Sequence, residues 1–265
     1  MKVHAHFQQK TGGDATQEWL EIRAGKITSS EFYRIVDSEG NLRKGQMPKT
    51  YLAEKLAERW TGRASGGFIS MAVNNGVIVE EKASAFASLE YGLDIKHVGF
   101  VESEKEEDAN GAGCSPDGLV GWAGPWLEDR ATSVLQGATP HWSGIEIKCP
   151  ELKTHIGYLL AGKLPDDYRG QVQGSMLVTG CATWHFLSYP LACYLDAFPA
   201  FHLVIERDEK YHLSLAESLA EFAAKYEAAF ARLVEMNGAP PPPRQRMMFS
   251  ADYKPGMFRD GDVTP

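Results

Sequence analysis

The sequence has no apolar run approaching the roughly 18 to 20 residues that a membrane-spanning helix needs. Its longest apolar stretches, such as 119–124 and 198–205, stop well short of that. The opening segment, "MKVHAHFQQKTGGDATQEW", lacks the continuous apolar core of a secretory signal, so the expected location is the cytosol. Cysteine is scarce: the four residues at 114, 149, 181 and 193 form neither a C-x-x-C pair nor a zinc-ribbon rhythm. They read as reduced, mostly packed thiols. No histidine has convincing metal-ligand spacing, and His4 and His6 sit in a terminus expected to be mobile. There is no internal repeat.

An excess of positive charge is also missing. The formal net charge of −8 argues against a polyanionic partner, because nonspecific affinity for nucleic acid comes from cations that displace phosphate counterions. Distribution matters more than the sum. Residues 1–63 carry 11 Lys and Arg against 8 Asp and Glu, a net of +3, which leaves −11 for the remainder. The densest acidic run, "ESEKEED" at 102–108, reads as a solvated loop. Charge therefore permits a localised DNA-binding face without demonstrating one.

What is present is a full globular composition, 43% hydrophobic over 265 residues, enough to bury one large core. "TQEWLEIRAG", "SSEFYRIVDS", "PKTYLAEKLAERWTG" and "NNGVIVEEKASAFASLEYG" carry helix-spaced apolar positions and end near Gly, Asn or Ser, giving a helical part over 14–92. From Leu93 the texture changes. "IKHVGFVES", "GLVGWAG", "GIEIKC", "TWHFLSYP" and "AFHLVIERD" have strand length and β-branched or aromatic enrichment, giving a sheet core over 93–208. Within it, "DYRGQVQGSMLVTG" repeats at helical spacing. An alanine-rich amphipathic helix over 211–237 follows, "APPPPRQR" stops it, and 241–265 read as an extended tail. The order predicts a single α/β (α+β) domain over 1–240, with a central mixed β-sheet flanked by helices.

Two strands carry the chemistry. In "GIEIKCP", Ile145 and Ile147 alternate with Glu146 and Lys148, so the two charged side chains share one face about 6.6 Å apart along the strand. A surface ion pair would give the same pattern. "SPDG" is a turn sequence whose Asp117 can satisfy the turn's own amides. Together, however, the turn and strand supply two hard oxygen ligands and a cation. That set, with the Ile147 carbonyl, retained waters and phosphate oxygens, suits magnesium. Lys148 would orient and help deprotonate an attacking water, or neutralise charge on the phosphate. A further acid comes from "NNGVIVEEKASAF", where only one of the adjacent Glu80 and Glu81 can face a site; periodicity leaves that choice open.

These segments resemble, in order, the P-D…E-x-K nucleases of the lambda-type phage exonuclease family, the YqaJ-like viral recombinases. "QEWLEIRAGKITSSEF" resembles the family's N-terminal motif, "NNGVIVEEKA" its G-x-x-x-E-x-x-A helix, and "CSPDGL" and "EIKCP" its catalytic strands. "YRGQVQGSMLVTG" resembles its glutamine-bearing helix and "VIERDEKY" its late strand and turn. The resemblance implies a restriction-endonuclease-like core. It makes Asp117, Glu146, Glu80 and the Ile147 carbonyl metal ligands, Lys148 the catalytic lysine, and Gln171 a positioning glutamine with Tyr168 beside it. It selects Glu80, four after Gly76 and three before Ala83, over Glu81.

The N-terminal motif has a physical reading of its own. "TSSE" at 28–31 is a capping-box pattern, with Thr28 as cap and Glu31 reaching back. The same helix start offers amides and serine hydroxyls to an anion, and Arg23 could add a bidentate clamp. By resemblance, Arg23, Thr28 and Ser30, with Tyr168, form a pocket for a 5′-terminal phosphate.

The resemblance further implies an alkaline-type deoxyribonuclease: a processive 5′–3′ exonuclease on linear double-stranded DNA ends. It would use two Mg²⁺ ions, replaceable by Mn²⁺, release 5′-mononucleotides and leave a 3′ single strand for recombination. A homotrimeric toroid, a single-strand annealing recombinase as partner and a phage or prophage origin in a bacterial cytosol follow by the same route. An endonuclease of the same fold and a noncatalytic DNA-end-binding module are the alternatives. One departure from the family pattern is plain: Asp117 and Glu146 are 29 positions apart, a much longer link. The stretch between holds Trp126, with Trp122 and Trp142 at its edges; these could stack on DNA bases or pack locally.

Overall fold

The computed structural model describes residues 1–4, 17–64, 71–103, 111–122, 142–190, 194–195 and 197–241, with backbone only for 17–18 and 71–78. In chain order the elements are β1 (Lys2–His4), α1 (Gln17–Arg23), a 3-10 helix (Ser29–Arg34), α2 (Gln46–Thr61) and α3 (Met71–Tyr91). Short strands β2 (Ile95–Lys96), β3 (Phe100–Glu102), β4 (Gly113–Cys114) and β5 (Gly118–Val120) lead to β6 (Ser143–Lys148). Then come α4 (Leu152–Ala161), α5 (Asp166–Thr179), β7 (Thr183–Ser188), β8 (Phe201–Glu206) and α6 (Glu209–Asn237).

The main sheet has the order β2-β5-β6-β7-β8, in which β6 and β7 are parallel and the other neighbours antiparallel. Joining two parallel neighbours requires a crossover, and α4 and α5 supply it. A second, antiparallel sheet has the order β1-β3-β4. The mixed sheet with flanking helices is therefore the expected architecture.

Strand β6 lies between two helical layers. Ile145 and Ile147 pack with Ala83 and Ala87 of α3 and with Leu187. On the other side α5 is buried continuously from Val172 to Thr179, and its Val172 and Met176 pack with Trp184 and Phe186. A helix enclosed this fully needs close neighbours. At Gly174 a Cβ would collide with the Phe32 ring and crowd Ser29, so glycine there lets the 3-10 helix lie against α5. A third cluster joins Phe32, Ile35 and Tyr51 to Leu215, Leu219 and Phe222 of α6. Asp208 caps α6, accepting the Tyr211 amide at 3.0 Å.

Several expectations need correction. His4 is not in a mobile terminus: it pairs with Phe100 as part of β1. "IKHVGFVES" is not one strand but two, β2 and β3, in different sheets, because the chain turns between Lys96 and Phe100. "SSEFYRIVDS" forms a 3-10 helix that stops at Arg34. The helix α4 was not anticipated, and α6 begins two residues before 211. The capping box is not formed: Thr28 makes no side-chain cap bond, and Glu31 pairs instead with Arg34 at 3.0 Å. Trp122 is buried and Trp142 packs against the core, so both serve packing. Trp126, His6, Cys193, residues 104–110, residues 123–141 and the tail from 242 lie outside the described residues. Cys114, Cys149 and Cys181 are free thiols. No helix among the described residues is long and apolar enough to cross a membrane.

Candidate active site

The alternation of β6 sends Glu146 and Lys148 to the α5 side while its isoleucines face α3. Glu146 is only 3% exposed, a burial that demands partners. It has two, both on Oε1: Gln171 donates through Nε2 at 2.7 Å, and Lys148 Nζ lies at 2.5 Å. Tyr168, one helical turn before Gln171, sets its ring 5.0 Å from the same ammonium. Helix α5 thus contributes a glutamine that fixes the carboxylate and an aromatic wall for the lysine. Burial by itself opposes the Lys148 charge, but Glu146 and Asp117 outweigh it and hold the ammonium above its ordinary range.

Asp117 reaches this strand from the turn between β4 and β5. Its Oδ2 accepts the Ile147 amide at 2.6 Å, and its own amide donates to the Ile145 carbonyl at 3.2 Å. The turn is thus fastened to β6 on both sides of Glu146. At Gly118 a Cβ would collide with Ile95, so glycine at this position lets β2 close over the turn. Glu80 of α3 belongs to the same end of the sheet. The Cys149 thiol, next to Lys148, is pushed up to about 12 by burial and by the charges of Glu80 and Asp117. Glu80 is half-buried and Glu81 exposed, in keeping with Glu80 as the inward residue.

The residues expected to receive a phosphate are less uniform. Arg23 donates through Nη1 to Ser115 Oγ at 2.6 Å and lies over the Trp19 ring at 4.4 Å. Burial lowers its pKa, against the nearby Tyr51 and Glu58. Ser115 was not singled out from sequence, although it stands two residues before Asp117 in "CSPDG"; it joins the Arg23 region directly to the turn that carries Asp117. Thr28 is buried, donates its amide to Tyr51 Oη at 3.3 Å and bridges Gly113. Ser30 is exposed, with its hydroxyl 3.4 Å from Thr28 Oγ1, whereas the neighbouring Ser29 is buried and bonded to Ser175 at 2.9 Å. Of the two serines, only Ser30 is accessible to a ligand.

The acids of this cluster, Asp117 and Glu146 with Glu80 beside them, outnumber its one ammonium. Carboxylate oxygens with excess negative charge suit a hard divalent cation. Among the described residues, no three His, Cys, Asp or Glu side chains converge closely enough to enclose one alone. Mg²⁺ does not require such a cage, because it keeps water and phosphate oxygens among its ligands.

The similarities to known proteins agree with this arrangement. The alkaline exonuclease LHK-Exo from Laribacter hongkongensis is 30% identical, with a TM-score of 0.66 over 83% of this chain and 97% of that chain. Its complex with dAMP gives 29% identity, a TM-score of 0.67 and the same coverage. A phage-related exonuclease from Haemophilus somnus 129PT, at 15% identity and a TM-score of 0.50 over 80% of this chain and 96% of that one, shares the fold. The uncharacterized ExoD protein of Escherichia coli K12 is 38% identical over 66 residues, 25% of this chain and 74% of its own length. The model of the YqaJ-like viral recombinase domain matches residues 18–182, a span that includes all but the first residue of α1, the Asp117 turn, β6 and α5. The chain belongs to the YqaJ-like viral recombinase family.

Proposed function

We propose that this protein is a Mg²⁺-dependent exonuclease that degrades one strand of linear duplex DNA from its 5′ end and releases 5′-mononucleotides. The observation that carries the reading is the junction of Asp117, Glu146, Lys148 and Gln171 where β6 meets α5. The likeness to an alkaline exonuclease, and to its complex with a mononucleotide, supports the same chemistry.

Asp117, Glu146, the Ile147 carbonyl and Glu80 would hold the cation. When bound, Mg²⁺ supplies Lewis acidity that activates water and stabilises the leaving 3′ oxygen, and Mn²⁺ can replace it. Two such ions are the expected complement. Gln171 keeps the Glu146 carboxylate in one orientation, so its geometry is set before substrate arrives. Lys148 orients the attacking water and offsets charge developing on the phosphate. Tyr168 restricts the lysine to that position. Arg23, held by Ser115, receives the 5′-terminal phosphate together with Ser30. Each cut then creates the next end to be held. A homotrimeric ring would keep this acidic chain on its DNA without strong nonspecific attraction, and a single-strand annealing recombinase would take the 3′ strand.

The test is digestion of linear duplex with 5′-phosphate or 5′-hydroxyl ends, with Mg²⁺ or chelator, following both strands. The expected result is Mg²⁺-dependent loss of the 5′-ended strand, faster on phosphorylated ends, with covalently closed circles left intact. Cleavage of closed circles would make it an endonuclease. Loss of the 3′-ended strand first would overturn the polarity, and end binding without nucleotide release would overturn catalysis.

A further inference from the structure

His97 follows β2 directly, opposite the turn that carries Asp117, because the register pairs Lys96 with Leu119. Its Nδ1 lies 2.9 Å from the Asp117 carbonyl oxygen and its Nε2 lies 3.3 Å from Ser84 Oγ. A carbonyl oxygen only accepts, so Nδ1 must carry the proton. In the neutral ring Nε2 then accepts from the Ser84 hydroxyl. Ser84 is buried on α3, four residues after Glu80 and therefore on the same helical face. One side chain thus ties together the helix bearing Glu80 and the turn bearing Asp117, two acids that come from separate layers.

The Asp117 amide and side chain are also fastened towards β6, through the Ile145 carbonyl and the Ile147 amide. The bond from His97 is directed the other way, towards α3. Outer hydrogen bonds of this kind orient metal-ligating groups, and their loss commonly costs 10-fold to 100-fold in metal affinity. We propose that His97 is a positioning residue that sets Asp117 relative to Glu80, and thereby sets the affinity of the site for a divalent cation, without touching cation or DNA. This rests on the reading of the cluster as a metal site.

The experiment is calorimetric titration of the full-length protein with Mn²⁺, with melting temperature measured in the absence of metal. Four proteins are compared: the unchanged protein, His97→Ala, His97→Asn and Ser84→Ala. An asparagine amide can replace the Nδ1 donor to the Asp117 carbonyl but does not reach Ser84. The expected result is affinity about tenfold weaker in His97→Ala and a smaller, similar loss in His97→Asn and Ser84→Ala, which each keep the bond to Asp117 and break the link to α3, with metal-free melting little changed among them. Equal affinities in all four proteins would overturn the positioning role. So would a loss in His97→Asn as large as in His97→Ala, or one that tracks a fall in melting temperature. Absence of Mn²⁺ binding by the unchanged protein would instead overturn the metal site itself. If His97→Ala does not fold, His97→Asn and Ser84→Ala decide the same point: the role requires both to bind Mn²⁺ more weakly than the unchanged protein by similar factors, and unchanged affinity in either overturns it.

Discussion

Among the described residues, two lysine–glutamate pairs with a buried glutamate do different jobs. In α2, Lys55 Nζ meets Glu58 Oε2 at 2.7 Å, and the Gly25 amide donates to the same oxygen at 3.0 Å. The Lys55 ammonium also lies 5.4 Å from the Tyr51 ring. In β6, Lys148 meets Glu146, but Asp117 acts on the same ammonium and Glu80 stands nearby. Around the first pair the charges are balanced, Glu58 and Glu54 being set against Lys55, Arg23 and Arg34; the second gathers several acids around one base. Burial alone does not mark a functional group, whereas an uncompensated excess of one sign in a partly enclosed place does.

Breaking each pair should separate these roles. Lys148→Ala should reduce nucleotide release about a thousandfold, equivalent to about 4 kcal/mol, while end binding changes little. Glu58→Ala should do the reverse. Leaving Lys55 buried without its partner should cost about 3–5 kcal/mol of stability, read by denaturant unfolding, with activity per folded molecule preserved. Arg23→Ala should be smaller: about a tenfold slower rate on 5′-phosphorylated ends, or about 1.4 kcal/mol, and no change on hydroxyl ends.

A further effect concerns pH. His185 Nδ1 and His202 Nε2 lie 2.9 Å apart across β7 and β8. Burial, then the His202 charge, pulls His185 down to about 4, and burial lowers His202. His212 is also drawn down to about 4, by burial and by Arg207. These folded-state values lie below the unfolded value of about 6.5, so the fold holds the rings neutral. Their contribution is complete above about pH 6.5 and is lost as pH falls towards about 4. Melting temperature should drop through that window, and His185→Gln with His202→Gln should flatten the drop without abolishing it.

The sequence carried the acid–base part of the site well, because strand alternation is a local rule. It placed Glu146 and Lys148 on one face, and the helical spacing of "DYRGQVQGSM" put Tyr168 and Gln171 on one turn. The glutamine's contact with Glu146 is a tertiary fact, reached from sequence only by family likeness. Periodicity could not separate Glu80 from Glu81; the packing of Ala83 and Ala87 on β6 does. Ser115 and His97 escaped notice because their partners are 92 and 20 residues away in the chain. The capping pattern at Thr28 misled because Thr28 bridges Gly113, a long-range pairing that no local motif reveals. Similarly, "IKHVGFVES" has the composition of one strand, and only tertiary pairing divides it between two sheets.

The central claim is that the acids around Lys148, unlike the pair at Lys55, are left in excess to hold a divalent cation. Its most direct measurement is the Mg²⁺-dependent shift in melting temperature of the unchanged protein, Asp117→Asn and Glu58→Ala. A ligand that binds only the folded state raises melting with concentration. The expected result is a rise in the unchanged protein, a similar rise from a lower starting point in Glu58→Ala, and little or none in Asp117→Asn. An equal rise in Asp117→Asn, or no rise in the unchanged protein, would contradict it.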